Sequence, residues 1–266
     1  MRIATWNVNS VTARLPRLLD WLGVAEPDVL CLQELKCSDD AFPHDEVGEL
    51  GYEAATHCAG RWNGVAILSK AGLAEITRGL SGEPEFLEDG AMFGAPERRA
   101  IGATCDGVRI WSLYVPNGRE LGHAHFAYKL QWLAALRETV LAELAGQPYA
   151  LLGDFNVAPA DEDVYDVAEF DGSTHVTEPE RQALAALREA GLVDVFPRAL
   201  KGGHPYTYWD YRQLAFAKNN GMRIDLVYGN EPFITEVTDA YVDREARKGD
   251  APSDHAPVVV DLTLSR

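Results

Sequence analysis

The sequence predicts a mixed α/β (α+β) chain in which two packed β-sheets are flanked by helices. Three observations predict it. Short apolar runs rich in branched and aromatic residues recur along the 266 residues. A few longer segments carry apolar residues at helical spacing. Gly- and Pro-rich stretches separate them. Many strands with few helices bury their apolar faces best as sheet on sheet, with the helices outside.

Residues 2–6 read as a strand. Residues 11–23 carry Val11, Leu15, Leu18, Leu19 and Leu22 as a helical stripe. Asp28 to Gln33 is a short buried strand, and residues 63–69 and 108–115 are two more. The longest helix is expected over 125–145, with Leu130, Leu133, Leu136, Val140, Leu141 and Leu144 on its apolar side. Tyr149 to Leu152 is a strand and 180–190 a helix. Ile224 to Tyr228 and Pro257 to Leu264 are strands. The long loops run from Gly79 to Glu97 and from Gly202 to Gly221.

Hydrophobic residues make up 47% of the chain, enough for a sizeable core. With no linker-like tract or internal repeat, residues 1–266 are expected to form a single domain. The N-terminal residues lack the features of a signal peptide. No apolar run approaches the length of a membrane span. Cys31, Cys37, Cys58 and Cys105 match neither a zinc spacing nor a disulfide framework, so a reducing cytoplasm is expected. Cys31 and Cys105 sit in strand-like runs as small core residues.

The formal net charge of −17 argues at first sight against a nucleic-acid partner. Binding depends on the local face, however, and the acid is uneven. Segment 161–171 holds six acidic residues and no Lys or Arg, whereas segment 201–230 carries a net +2. That leaves room for a basic patch on an acidic body.

Polar residues cluster where apolar strands begin or end. They are Trp6-Asn7, Gln33-Glu34, Tyr114 to Asn117, Gly153-Asp154-Phe155-Asn156, Arg223-Ile224-Asp225 and Ser253-Asp254-His255. If these strands share a rim, their acids converge on one cleft. Singly, each has an ordinary reading. Glu34 is then a surface acid past a strand, Asp154 and Asn156 close a turn on their own backbone, and His255 is a surface residue. Asp225 lies inside an apolar strand and needs a partner, for which a protonated His is the natural candidate.

Taken together, the motifs resemble those of the exonuclease III/apurinic-apyrimidinic endonuclease family. They are Trp6-Asn7-Val8-Asn9, Leu32-Gln33-Glu34-Leu35-Lys36, Tyr114-Val115-Pro116-Asn117-Gly118, Gly153-Asp154-Phe155-Asn156, Tyr206 to Arg212, Arg223-Ile224-Asp225 and Ser253-Asp254-His255-Ala256-Pro257. That family belongs to the endonuclease–exonuclease–phosphatase superfamily, with pancreatic-type DNases and inositol polyphosphate phosphatases. The resemblance covers essentially the whole chain. It implies a four-layer αββα sandwich with two central, mostly antiparallel sheets and the site at one rim.

The resemblance also implies roles. Glu34 and Asp254 would hold Mg²⁺, for which Mn²⁺ is a substitute, with Asn9 nearby and Asp154 and Asn156 bordering the ion. Asp154 would orient or deprotonate water, and Asn156 and Asn7 would position it. His255, oriented by Asp225, would contact the phosphate, with Tyr114 and Asn117 beside it. Asp154 and the His255–Asp225 pair both stand as candidates for the base. Tyr208, Trp209, Met222 and Ile224 would wall a pocket for an extruded abasic sugar, Met222 standing where some relatives have Trp. Arg98, Arg99, Arg119, Lys129, Arg212, Lys218 and Arg223 are the candidate phosphate contacts. The implied partner of this monomer is double-stranded DNA with abasic sites or damaged 3′ ends, with no membrane. Two other readings stand beside it: a superfamily phosphatase acting on a small phosphoester, and a catalytically silent nucleic-acid-binding member.

Overall fold

The computed structural model describes residues 1–87, 97–144, 146–201 and 203–264. Residues 88–96 of the loop expected between Gly79 and Glu97, Gly202 at the start of the second expected loop, and the last residue of the helix expected over 125–145 lie outside them. In chain order, β1 (Arg2–Asn7) leads to α1 (Val11–Ala25), β2 (Val29–Gln33), α2 (His44–Glu49), β3 (Glu53–His57) and β4 (Val65–Ser69). Then come β5 (Ala74–Arg78), β6 (Ala100–Cys105), β7 (Val108–Tyr114), α3 (Ala124–Glu143) and β8 (Tyr149–Asp154). Next are α4 (Glu178–Glu189), β9 (Val193–Asp194), β10 (Arg198–Ala199) and α5 (Ala215–Lys218). The described chain ends with β11 (Asp225–Gly229), α6 (Glu231–Ile234), β12 (Val237–Val242) and β13 (Val258–Leu262).

One sheet has seven strands in the order β10-β12-β13-β1-β2-β4-β3, the other six in the order β5-β6-β7-β8-β11-β9. Neighbours run antiparallel except at β1–β2, β7–β8 and β10–β12. Alternation along the strands builds the layers. Ile3, Val29, Cys31, Ile67, Val258 and Val260 meet Ile101, Ile110, Ala150, Leu152 and Val227 between the sheets. On the outer face of the first sheet, Ala4, Trp6, Leu30 and Leu32 pack against Leu18, Trp21 and Leu22 of α1. On the outer face of the second, Trp111, Tyr149, Leu151 and Tyr228 pack against α3 and α4. The result is the expected four-layer sandwich.

Six strands carry no clear sequence signal: β3, β5, β6, β9, β10 and β12. β3 and β6 are poor in the branched and aromatic residues that mark a strand, all of β5 is exposed at an edge, β9 and β10 have two residues each, and β12 is broken by Asp239 and only partly buried. In β6, Gly102 faces Trp111, whose ring a Cβ would meet at 2.7 Å. Small residues there accommodate a large neighbour across the ladder. α3 keeps most of the apolar face expected, with Leu141 turned out of it. Leu141 is 45% exposed, and Tyr128, Trp132, Leu133, Leu136 and Val140 are buried.

The register carries the rim residues to one place. Asp225 opens β11 directly across from Asp154, and Tyr114 pairs with Asp154 on the other side. Gly153 makes this possible. Its φ of 152° and the 1.9 Å that would separate a Cβ from the Leu113 carbonyl oxygen leave room for hydrogen alone. Gly153→Ala should therefore cost about 3 kcal/mol or more in denaturant unfolding. A wild-type midpoint for that variant contradicts the register described here.

Candidate active site

The rim residues occupy one cavity of about 200 Å³. Its polar wall is Glu34, Tyr114, Asp154, Asn156, Asp254 and His255, and its apolar wall is Tyr208, Met222 and Ile224. Asn117 and His175 complete it.

Local backbone bonds fix each segment. Glu34 turns out of β2 with a φ of 58°, and its carbonyl accepts the Ser10 N–H at 2.7 Å at the head of α1. The Ser253 hydroxyl donates to the Asn7 carbonyl at 2.6 Å, seating the Asp254-His255 segment on the end of β1. The Thr207 hydroxyl oxygen accepts the N–H groups of Ile224 and Asp225 at 3.1 and 3.0 Å. The Thr207 carbonyl accepts the Ala256 N–H at 2.7 Å. Residues 206–210 thereby bridge the lead-ins to β11 and β13.

At the bottom lies a buried charge cluster. His255 Nδ1 is 2.8 Å from Asp225 Oδ2, and His255 Nε2 is 3.8 Å from Asp154 Oδ2. The partner expected for Asp225 is thus His255. Burial disfavours the charged ring, but Asp225, Asp154 and Asp254 outweigh it and raise His255 to about 10. The ring is therefore an imidazolium at neutral pH. Burial pushes Asp154 up to about 7, against the pull of His255, with Asp225 adding to the rise. Asp154 also accepts the Asn7 amide at 2.9 Å and the Asn156 N–H at 2.9 Å. Of the two candidates for the base, the carboxylate titrates near neutrality and the imidazolium has no free basic nitrogen.

The donor set suits a hard cation, as its chemistry shows. Glu34 and Asp254 present carboxylates to the cavity. The Lys36 ammonium already lies 3.2 Å from Glu34 Oε1, so positive charge is stable there. Asp154, Asp225 and His255 also lie close enough together to hold an ion, with ligand atoms within 4.8 Å. A protonated His255 bonded to Asp225 has no lone pair to give, so the Glu34–Asp254 side is the better metal position.

Several expected roles change. Asn9 lies beside the expected metal position, donating to Asp254 at 3.0 Å and accepting from Lys36 at 2.6 Å, so it positions a carboxylate. The Asn156 oxygen is likewise engaged, by Asn117 and His175, each at 3.2 Å. Trp209 is not a pocket wall. It is 1% exposed and packs edge-on against Phe216 in the core. Its alternation with Tyr208 turns it away from the cavity.

Of the four cations counted in segment 201–230, Arg223 alone is turned inward, while Lys201, Arg212 and Lys218 stay exposed. Arg223 is buried against Asp163 at 2.6 Å and Asp194 at 2.9 Å. Arg99 is buried, bonds Glu97 at 2.6 Å and stacks on Tyr114 at 4.8 Å, so it holds Tyr114 in place and touches no solvent-side phosphate. Lys129 is fully buried against Glu180 and donates to the carbonyls of Asn117 and Asn156 at 3.2 and 2.7 Å. Lys201 meets Glu245 and Arg212 meets Asp210. Arg212 and Lys218 remain exposed, as does Arg119, whose guanidinium lies 5.5 Å from the Phe86 ring.

His175 was missed. It sits just before the Thr177–Glu180 capping box of α4, and Glu180 accepts its N–H at 3.0 Å. Burial and Lys129 lower its pKa to about 4, so it lines the cavity as a neutral ring. Nothing in its neighbours marks it; only the capping box, which fixes the start of α4, hints at its place.

The Asp225–His255 pair can be checked directly. Ring NMR should show His255 as imidazolium through neutral pH. Asp225→Asn should lower its midpoint by ~1–3 units, the size of an adjacent opposite charge. An unchanged midpoint contradicts the pairing.

The chain matches the model of the Endonuclease/Exonuclease/phosphatase family over residues 4–255. It is 30% identical over 270 residues to the DNA repair nuclease APEX1 of Danio rerio, covering 99% of this chain and 83% of that protein. A 3′ phosphatase, NExo, from Neisseria, solved bound to a product DNA hairpin, superposes with a TM-score of 0.91 at 38% identity, covering 99% of this chain and 100% of that one. An AP endonuclease from Archaeoglobus fulgidus gives 0.90 at 32% identity, with the same coverage. With a family model spanning most of its length, the chain belongs to the Endonuclease/Exonuclease/phosphatase family, among its exonuclease III and AP endonuclease members.

Proposed function

We propose that this DNA repair nuclease cleaves the phosphodiester 5′ of abasic sites and trims nucleotides or blocking groups from 3′ ends, with Mg²⁺ as its metal. The observation that carries the reading is the buried Asp154, raised to about 7 and set 3.8 Å from the His255 imidazolium in the cavity that also holds Glu34 and Asp254. Relatives named DNA repair nuclease, AP endonuclease and 3′ phosphatase support it.

Each residue has a part. Asp154, positioned by Asn7 and the Asn156 N–H, accepts the proton of the attacking water. The water oxygen then bonds phosphorus and the bond to the 3′ oxygen breaks. His255 and the Asn117–Asn156–His175 cluster face the phosphate oxygens, with the positive charge of His255 kept in place by Asp225. Tyr114 stays protonated, since burial and then Glu34 raise its pKa, and it donates to Glu34. Glu34 and Asp254 would hold the divalent ion, which when bound polarises the phosphate and neutralises the leaving oxygen. Tyr208, Met222 and Ile224 give a short apolar wall suited to a sugar without a base, and an abasic nucleotide is cheap to extrude.

A phosphatase for small phosphoesters needs a basic headgroup pocket. Here the cavity is lined by carboxylates, amides and apolar groups. A silent binding member is disfavoured because Glu34, Asp154, Asn156, Asp225, Asp254 and His255 lie together at one site.

A labelled abasic duplex tests the reading, with nicked product resolved from trimmed product. EDTA should abolish both, and Asp154→Asn should lower turnover ~10²–10⁴-fold. Cleavage by Asp154→Asn at the wild-type rate overturns the assignment. The pH profile follows from the sign of the shifts. Asp154 acts as carboxylate, so activity falls as pH drops through about 7. His255 acts as imidazolium, so activity is lost again as pH rises through about 10. An acid limb near the ordinary carboxylate value of 3.8 removes Asp154 as the base.

A further inference from the structure

A second cavity of about 300 Å³ adjoins the first, and Tyr208 and Met222 line both. Its far wall is Tyr165 and Phe170, whose rings meet edge to face at 5.8 Å. The wall is stitched in place. The Tyr165 N–H donates to the Gly221 carbonyl at 3.0 Å, and Val164 forms a bridge with Met222. Tyr165 is nevertheless 38% exposed, a large aromatic left half open beside a catalytic cavity. Gln213 and Asn220 add amides, and Arg212 and Asp210 add a bonded guanidinium–carboxylate pair at 2.7 Å.

The charge around this cavity selects its occupant. The segment carrying Tyr165 and Phe170 also carries exposed Asp161, Glu162, Asp166, Glu169 and Asp171, with no Lys or Arg. A phosphate is repelled by that segment. A neutral, flat group with donors and acceptors on its edge is not. Aromatic faces stack any base, and amides bond base edges. The cavity lies at the low end of the size range of small-ligand sites, in keeping with one base and its sugar.

We propose that this cavity binds the unpaired base of a nucleotide next to the scissile phosphate. The proposal rests on the DNA reading above and gives the enzyme a preference for frayed or mismatched 3′ ends over paired ones. Unstacking is cheapest for a base that has already lost its partner, so a stacking pocket beside the cleavage point favours such ends.

The probe is a DNA hairpin with a recessed 3′ end whose terminal nucleotide is 2-aminopurine, either paired with thymine or mismatched. Asp154→Asn protein with Mg²⁺ should bind both and quench the mismatched fluorophore by stacking. In that background, Tyr165→Ala and Phe170→Ala should abolish the quench. They should also weaken binding of the mismatched hairpin roughly five- to hundred-fold more than that of the paired one, the range of one base–aromatic stack. Tyr165→Phe, which keeps the ring, should restore both readouts. The proposal is overturned if the quench persists in both alanine variants, or if the two hairpins lose affinity in step. Binding of neither hairpin by Asp154→Asn protein discards the DNA reading and the pocket with it.

Discussion

A single buried proton on His255 joins the two sheets at the point where they must cooperate. His255 precedes β13 of the first sheet, while Asp225 and Asp154 face each other on β11 and β8 of the second. Two carboxylates this close, both buried, repel one another and lose their hydration. The imidazolium between them answers both costs, so the rim of one sheet is electrostatically incomplete without the other. Everything else at the site is arranged around that contact. Ser253 seats the segment on β1, Thr207 seats β11, and Asn7 reaches across from the first sheet to Asp154.

The sandwich itself acts as a ruler. Strand ends are set by ladder register, and register is set by which side chains face the inter-sheet core. A slip of one residue in β8 exchanges Leu152 for Leu151 at that core and turns Asp154 away from the cavity. The glycine at 153, which alone tolerates the Leu113 carbonyl at that distance, keeps β7 and β8 close enough for Tyr114 and Asp154 to be neighbours. Buried ion pairs do similar work from behind. Lys129 and Glu180 hold the loops bearing Asn117, Asn156 and His175, which lie far apart in sequence.

The parts legible in the sequence were those with local signals. Short apolar runs marked β1, β2, β4, β7, β8, β11 and β13, and polar residues at the ends of those runs marked Glu34, Asp154, Asp225 and His255. What escaped depends on partners distant along the chain. Arg223 and Lys129 read as surface cations because Asp163 and Glu180 stand 60 and 51 residues away. Trp209 read as a pocket wall because its neighbour Tyr208 is one, and only the register of the segment separates them. β6 was silent because its small residues make sense only opposite Trp111.

The pairing of cations within the protein has a consequence for how the enzyme meets its substrate. On a body of net charge −17, arginines already bound to aspartates cast little field beyond the surface. Approach to a polyanion is then unassisted over distance. For a nuclease so charged, long-range attraction contributes little, and selection among sites falls to the contacts made at the rim once the two have met.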